Sequence, residues 1–468
     1  MKKNLFYSLI FYFVAFLFNN VFSSNCADTI VLSQNGYVVT KNADANGWIY
    51  KLSDTIAKTY IEVYQKGATI KKFIAYLNGI RYSIYSESNG VPKMMPWPNR
   101  TAGGKFTDSN GIVYDLFTQP IMTQNDGAGN AIHGMVSERP WQVAEVGVDF
   151  EGVYIKCFFD TQGWPVISGI FGEFRDYSVY HLKGNILIFD AYTENKSNKT
   201  FWNCGWGWHP WINAPLVPLD GTQKGTRDRC YLYMPADSIA MVNSTKIPTG
   251  EIRDVYSYNN GYFNFNTPKA LSSVNVDNFF TGLKPLQGTG YTRTVLIDYG
   301  NRVRIQYFGQ YPFYPWMVIY TPSNRVCIEH QTEEVNGLNT KQNLISIPPY
   351  SLSPKGRVIV VVDSDTVFTN NNSWVFAVYK NKVQKKSNVI FIGNNVLLNL
   401  KEHYNNVLFE FYSLNGRIIY KYNKIYNAGT YCLDFSNKTY IEKNIVKGMY
   451  IVGIKTNNKC EFGKIVIR

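Results

Sequence analysis

From about residue 30 to residue 367 the chain is a succession of short runs rich in β-branched and aromatic residues, separated by turn residues. The runs include Tyr60 to Tyr64, Gly152 to Phe158, Asn185 to Tyr192, Arg302 to Gln306, Met317 to Tyr320 and Arg357 to Val362. Turns such as Asn78-Gly79, Asn110-Gly111 and Asn260-Gly261 punctuate them, and Asn-Gly pairs favour the backbone of tight hairpins. Side chains of this kind fit a pleated, half-buried surface. Runs of Ala, Glu and Leu that would sustain helices are scarce, and there is no periodic repeat. An antiparallel β-sandwich of more than ten strands fits this spacing, and such a unit can exceed 200 residues as one domain. The expected class is all-β.

The two ends read differently. Lys2 and Lys3 precede an apolar stretch from Leu5 to Phe18, and Val21 and Ser23 form a small-residue cleavage pattern. Residues 1–23 therefore read as a secretory signal peptide cut after Ser23. An uncleaved membrane anchor is the alternative, but the stretch falls short of the roughly 20 apolar residues a span needs. Residues 24–368 form the large unit. The polar run Thr369-Asn370-Asn371-Asn372-Ser373 and the stretch from Lys382 to Asn388 read as a linker over 369–388. A small β module follows over 389–468. Its clearest element is Val407 to Tyr412, a turn from Ser413 to Gly416, and Arg417 to Tyr420, alternating as a half-buried hairpin does. Lys447 to Val452 and Gly463 to Arg468 close it as two further strands.

Composition narrows the function classes. Hydrophobic residues make up 45% and charged residues only 17%, so the chain can build a large core and is not disordered. The net charge of +13 raises nucleic acid as a partner. The basic residues are scattered, however, with eleven Lys/Arg against five Asp/Glu from Ser387 onward. No basic stripe alternates with stacking aromatics, so a solvated basic surface explains the charge better. Seven cysteines in so long a chain do not make a disulfide scaffold. Cys157, Cys204 and Cys327 read as buried thiols, whereas Cys432 and Cys460 are placed to pair after export. No C-x-x-C or H-E-x-x-H spacing points to a metal.

Two segments carry proton-transfer chemistry. His209 sits within Gly207-Trp208-His209-Pro210-Trp211. An imidazole exchanges protons near neutral pH, and a Trp face such as that of Trp208 can stack on a pyranose. Glu329 ends an apolar run in Ile328-Glu329-His330-Gln331-Thr332, where partial desolvation raises a carboxyl pKa and makes it a better base. Asn99 and Arg100, His133, and Asp277 in Val276-Asp277-Asn278-Phe279-Phe280 add groups suited to sugar hydroxyls. Taken singly, each also fits an ordinary structural role: a core histidine, an edge-strand carboxylate, a salt-bridge arginine. Their combination is what points to acid–base work on a sugar.

Pro96-Trp97-Pro98-Asn99-Arg100, Gly103-Gly104-Lys105-Phe106 and Ile132-His133-Gly134 with Trp141 beyond resemble the front half of aldose 1-epimerases, the galactose mutarotases. Gly207 to Asn213 resembles that family's Gly-x-His-Pro-aromatic segment. Tyr320-Thr321-Pro322, Cys327-Ile328-Glu329 and Gly337-Leu338-Asn339 resemble its glutamate segment. The similarity spans roughly residues 35 to 365. It departs where His330 replaces the usual Pro after the glutamate and where Trp211-Ile212-Asn213 replaces Tyr-Phe-Asn, both changes expected to reshape the sugar subsites.

The resemblance implies a galactose mutarotase-like β-sandwich that interconverts the anomers of a free aldose such as glucose or galactose. In that reading Glu329 is the general base and His209 the general acid. Arg100, His133, Asp277, Asn99 and Trp208 bind the sugar, and no metal or nucleotide cofactor is required. A non-catalytic carbohydrate-binding protein on the same fold, or a protein acting on a phosphorylated sugar, remains as an alternative.

The C-terminal module resembles the sorting domain of the type IX secretion system of certain Gram-negative bacteria, through Tyr412 to Arg417, Gly448 to Val452 and Gly463 to Ile467. This implies passage through the periplasm to the cell surface or medium, with secretion machinery as a partner and no stable membrane span once the signal is removed. An accessory β-domain that binds carbohydrate or the enzyme body is the alternative.

Overall fold

The computed structural model describes residues 28–364 except 109, 119–122, 199–200 and 223–224. Of residues 389–467 it describes all but 393–394, 401–403, 413–417, 427–428, 435–447 and 457–458. The stretches expected to be a signal peptide (1–23), a linker (369–388) and the Ser413–Gly416 turn lie outside the described residues. The chain divides into two compact units, 1–368 and 369–468.

The first unit is a sandwich of two antiparallel sheets, one of fourteen strands and one of nine among the described residues. Six strands from Thr29–Gln34 to Ile80–Tyr85 join the larger sheet in chain order. The sheet continues through Trp211–Pro218, Arg325–Gln331, Trp316–Tyr320 and Asp277–Leu283, which come from distant parts of the chain. The alternation seen in the sequence becomes two faces: along Thr59–Tyr64, the residues Thr59, Ile61 and Val63 are buried and the intervening ones partly exposed. Ile61, Phe73, Ile84 and Ile328 of the larger sheet meet Ile155, Tyr180, Phe189, Ile305 and Val360 of the smaller one in a single core. Each such side chain stabilises the fold by about 1.5–3 kcal/mol relative to leaving it exposed.

The runs singled out above form strands Thr59–Tyr64, Gly152–Asp160, Ile186–Asn195, Val303–Gln310, Trp316–Tyr320 and Gly356–Asp363. Asn78 and Gly79 make a two-residue hairpin turn with φ of 51° and 84°, bringing Leu77 opposite Ile80. Asn260-Gly261 behaves differently. Asn259 and Asn260 both adopt left-handed backbone inside the 3-10 turn Tyr258–Gly261, and Tyr258 stacks on Phe263, so no hairpin forms there. Cys157, Cys204, Cys230 and Cys327 are buried free thiols.

In the second unit Tyr404–Tyr412 pairs with both Ile418–Tyr426 and Gly448–Thr456, and Lys459–Ile467 completes an antiparallel sheet. Val389–Ile392, Asn395–Leu400 and Gly429–Asp434 form a second sheet. The pairing expected of Cys432 with Cys460 lies outside the described side chains. No described helix is long and apolar enough to cross a membrane.

Candidate active site

The strand Arg325–Gln331 decides which groups meet. Val326 and Ile328 enter the sandwich core. His330 points the same way, against Gly309 and between the rings of Tyr307 and Tyr314. Cys327, Glu329 and Gln331 therefore emerge on the opposite face, as a period of two requires. Register extends that face across four strands, since Cys327 lies opposite both Trp211 and Tyr320, and Tyr320 lies opposite Asp277. Trp211 and Tyr320 meet edge to face with ring centroids 5.8 Å apart. In the next row Glu329 faces Val318, which faces Phe279. Phe279 stacks on Trp316 at 4.7 Å, and with Ala240, Val318 and Val335 these rings form a separate apolar cluster flanking the carboxylate.

The other groups arrive on short segments pinned by backbone bonds. Gly207 pairs with Gln331 and Met94, and the amides of His209 and Trp211 donate to the carbonyls of Pro92 and Gly90 at 3.1 and 3.0 Å. A Cβ on Gly207 would stand 2.9 Å from the His330 carbonyl oxygen, so this close approach needs glycine. The His209 ring then stacks on Trp211 at 4.7 Å, with its Nε2 3.3 Å from Glu329 Oε1.

Arg100 lies opposite Ile132 in a two-residue strand pair, which brings His133 beside it. The His133 amide donates to the Asn99 carbonyl at 2.8 Å, and its ring meets that of His209 edge-on at 4.8 Å. Gly134 allows this bend: its φ is 67°, and a Cβ there would come within 2.2 Å of the Met95 carbonyl oxygen. The Arg100 guanidinium is held at three points. Its Nε donates to Asp126 Oδ2 (3.0 Å), Nη1 to Asn99 Oδ1 (3.0 Å) and Nη2 to Asp277 Oδ2 (3.3 Å).

Electrostatics follow from burial. Glu329 is 2% exposed. Burial, and then the Asp277 charge, push its carboxyl well above the usual range, while Arg100 and a hydrogen bond from Gln331 Nε2 to Oε2 (3.1 Å) offset part of the rise. Burial pulls His209 down to about 4; a backbone hydrogen bond opposes the fall and Arg100 adds to it. His133 is driven well below its usual value by burial, then by His209 and Arg100. Burial works against ionisation of Asp126, but hydrogen bonds from Asn130, Ala128 and Arg100 hold its carboxyl below the usual range. Two titrating groups 3.3 Å apart act as one unit. Between these limits the Glu329–His209 pair carries a single proton.

Glu329, His209, Arg100, His133 and Asp277 thus gather at one place, and several expectations are corrected. Trp208 is a core residue, 1% exposed, stacked on Phe189 at 5.2 Å and packed against Tyr180; Trp211 takes the place beside the proton-transfer pair. His330 does not reshape a subsite, because strand alternation turns it into the sandwich. Asn99, expected to touch the sugar, is 3% exposed and orients Arg100. Of the other departure, only Trp211 reaches the site face: Ile212 is core, and Asn213 donates to the Ser83 and Tyr85 carbonyls. Reading by residue type missed Asp126 and Gln331, whose spacing along the chain carries no signal for their partners.

A surface groove of about 330 Å³ lies elsewhere, lined by Pro140, Gln142, Phe158, Asp160, Trp164 and Arg175. Its charged groups pair with each other at 2.7 Å, so proton transfer belongs to the Glu329 cluster.

Comparisons with known proteins bear on the fold and the family. No curated protein matches the chain. A galactose mutarotase-like protein from Clostridium acetobutylicum is 18% identical with a TM-score of 0.56, covering 73% of this chain and 99% of its own. An aldose epimerase homologue from C. elegans is 17% identical with a TM-score of 0.51, covering 66% and 96%. A galactose 1-epimerase from Lactobacillus acidophilus is 15% identical with a TM-score of 0.50, covering 72% and 98%. At these identities the likeness speaks for the fold. The family model for aldose 1-epimerase matches residues 49–358, most of the first unit and about two thirds of the sequence, and on that match the chain belongs to the aldose 1-epimerase family.

Proposed function

We propose that this protein is an exported aldose 1-epimerase that interconverts the α and β anomers of a free aldose. The observation that carries the reading is the buried His209–Glu329 pair, with Nε2 and Oε1 3.3 Å apart beside a fixed guanidinium. In the forward half-reaction the Glu329 carboxylate takes the proton of the anomeric hydroxyl. The electron pair left on that oxygen forms the carbonyl at C1, and the C1–O5 bond breaks. O5 takes the proton of the His209 imidazolium. Rotation about C1–C2 presents the other face of the aldehyde, and reclosure returns both protons in the reverse sense.

Burial supports the cycle. The state that desolvation favours in the empty site, a protonated Glu329 beside a neutral His209, is the state reached when the ring has opened. Sugar hydroxyls donating to the carboxylate favour the ionic form that starts the cycle. Arg100 supplies fixed positive charge where negative charge develops on oxygen, at no reorganisation cost because Asp126, Asn99 and Asp277 already hold it. His133, kept neutral, offers a hydrogen bond near the ring oxygen. Trp211, stacked on His209 and lying under the Arg325 guanidinium at 5.8 Å, lines the site face beside the proton-transfer pair.

Polarimetry of freshly dissolved α-D-glucose and α-D-galactose, with protein lacking residues 1–23, tests the reading. Acceleration far beyond the uncatalysed drift is expected. No acceleration with either sugar would leave a carbohydrate-binding protein on this fold. Export is proposed from the sequence of the leader and of the C-terminal unit, with that unit as the address read by secretion machinery. Mass spectrometry of protein recovered outside the cell checks it: a chain beginning after Ser23 and lacking the C-terminal strands is expected, and an intact Arg468 terminus would remove the cleaved-address reading.

A further inference from the structure

The face that carries Glu329 also carries Cys327, two residues earlier on the same strand and opposite Trp211. The His209 ring stacks on Trp211, so the thiol stands beside the imidazole as well. The donor atoms of His209, Cys327 and Glu329 all lie within 4.8 Å of one another, and all three residues are buried. One nitrogen, one sulfur and one carboxylate oxygen converging in this way form a donor set for a thiophilic divalent cation. Zn²⁺ binds such atoms at about 2.0–2.3 Å in a tetrahedral arrangement.

We propose that Cys327, His209 and Glu329 form a site for a thiophilic divalent cation of the Zn²⁺ type, filled in competition with the sugar. Binding displaces the thiol proton to solvent and leaves the thiolate, the imidazole nitrogen and the carboxylate on the ion. The fourth position stays open to water. The His209–Glu329 separation of 3.3 Å already suits two ligands of one tetrahedral ion, and the sulfur, within 4.8 Å of both, need close by no more than about an ångström to join them.

Two features make this an exchangeable, inhibitory site. His209 Nδ1 has no hydrogen-bond partner, whereas a ligating histidine is ordinarily fixed through its second nitrogen. The Arg100 guanidinium also repels a cation here. An ion in this position blocks the groups that must move protons.

The assignment rests on the geometry of the cluster, and only its competition arm rests on the proposed epimerase activity. Co²⁺ serves as the probe, because a cobalt–thiolate bond gives an absorption that needs no turnover. Titrating Co²⁺ into full-length protein is expected to produce that band. Cys327→Ser should abolish it, and Glu329→Gln should weaken apparent Co²⁺ affinity by at least about tenfold; circular dichroism of both variants checks that they fold. Zn²⁺ should displace Co²⁺ and, in the polarimetric assay, inhibit in a manner relieved by excess sugar. The absence of a thiolate band in the wild type, or its persistence in folded Cys327→Ser, overturns the site whether or not the protein epimerises sugars. Zinc inhibition unaffected by Cys327→Ser also overturns it.

Discussion

Two buried ionisable pairs lie almost side by side in the first unit and behave as opposites. Lys93, opposite Trp208 in the larger sheet, reaches across the sandwich to Asp176 in the smaller one, with Nζ 2.6 Å from Oδ1 and both side chains fully buried. It also donates to the Tyr177 carbonyl, and Asp176 Oδ1 accepts from Thr193. The next residue after Trp208 is His209, whose pair with Glu329 is looser and ends on the outer face of the same sheet. Burial opposes charge in both: it lowers the Lys93 ammonium, raises the Asp176 carboxyl, raises Glu329 and lowers His209. The difference lies in what surrounds them. Lys93 is capped by the rings of Trp206 and Trp141 at 5.5 and 5.8 Å and held by the further hydrogen bonds to Tyr177 and, through Asp176, to Thr193. His209 instead lies stacked on Trp211 at the site face with Glu329 beside its Nε2. Each pair leaves one buried atom without a partner, Asp176 Oδ2 and His209 Nδ1. A short, locked pair joins two sheets; a longer pair that can exchange a proton is suited to chemistry.

Several measurements would sharpen or break this contrast. Glu329→Gln should lower the anomerisation rate by about 10²–10⁴-fold, with the melting temperature unchanged or raised because a desolvated carboxyl is gone. Near wild-type polarimetric rates would remove Glu329 from its role. Lys93→Met should cost about 3–5 kcal/mol in urea denaturation by stranding Asp176. The double variant Lys93→Met with Asp176→Leu should recover most of that loss. If Lys93→Met instead left stability intact and abolished turnover, the contrast between the pairs would fail.

The neighbouring tryptophans give a second, smaller separation. Trp208→Ala should lose about 3–5 kcal/mol of stability. Trp211→Ala should leave stability nearly unchanged and raise KM by about three- to tenfold. Equal effects of the two on KM would mean that both rings face the sugar.

The pH dependence tests the shared proton. Below about 4 the pair gains a second proton, Glu329 can no longer accept one, and the rate should fall. Above the raised Glu329 value the pair loses its last proton, His209 has none to donate, and the rate should fall again. Arg100 lowers both values, so Arg100→Gln should move both limbs to higher pH. A profile that moved to lower pH would contradict the assigned electrostatics.

Much of the fold was legible because a period of two in hydrophobicity reports a half-buried strand directly. Strand ends were less so: Asn185 stands outside its strand because Gly184 and Asn185 form the two-residue turn that brings Lys183 opposite Ile186. The proton-transfer residues were legible by type and order along the chain. Trp208 and Trp211 were not separable, since both lie within two residues of Pro210 in one aromatic segment. Only the pairing of Gly207 with Met94 and Gln331 turns one ring into the core and leaves the other on the site face.

The amino-acid sequence thus determined the all-β class, the alternation of faces and the inventory of acid–base groups, because these depend on local pattern and residue chemistry. Tertiary structure alone decided three further things: the contact of His209 with Glu329, the grip of Asp126, Asn99 and Asp277 on Arg100, and the place of Cys327 beside the proton-transfer pair. The grip on Arg100 draws on its chain neighbour Asn99 and on Asp126, brought near by the short strand pairs around Ile132. The first and last depend on the register of strands that are neighbours in space and far apart in the chain, where a shift of one residue would turn Glu329 and Cys327 to the other face.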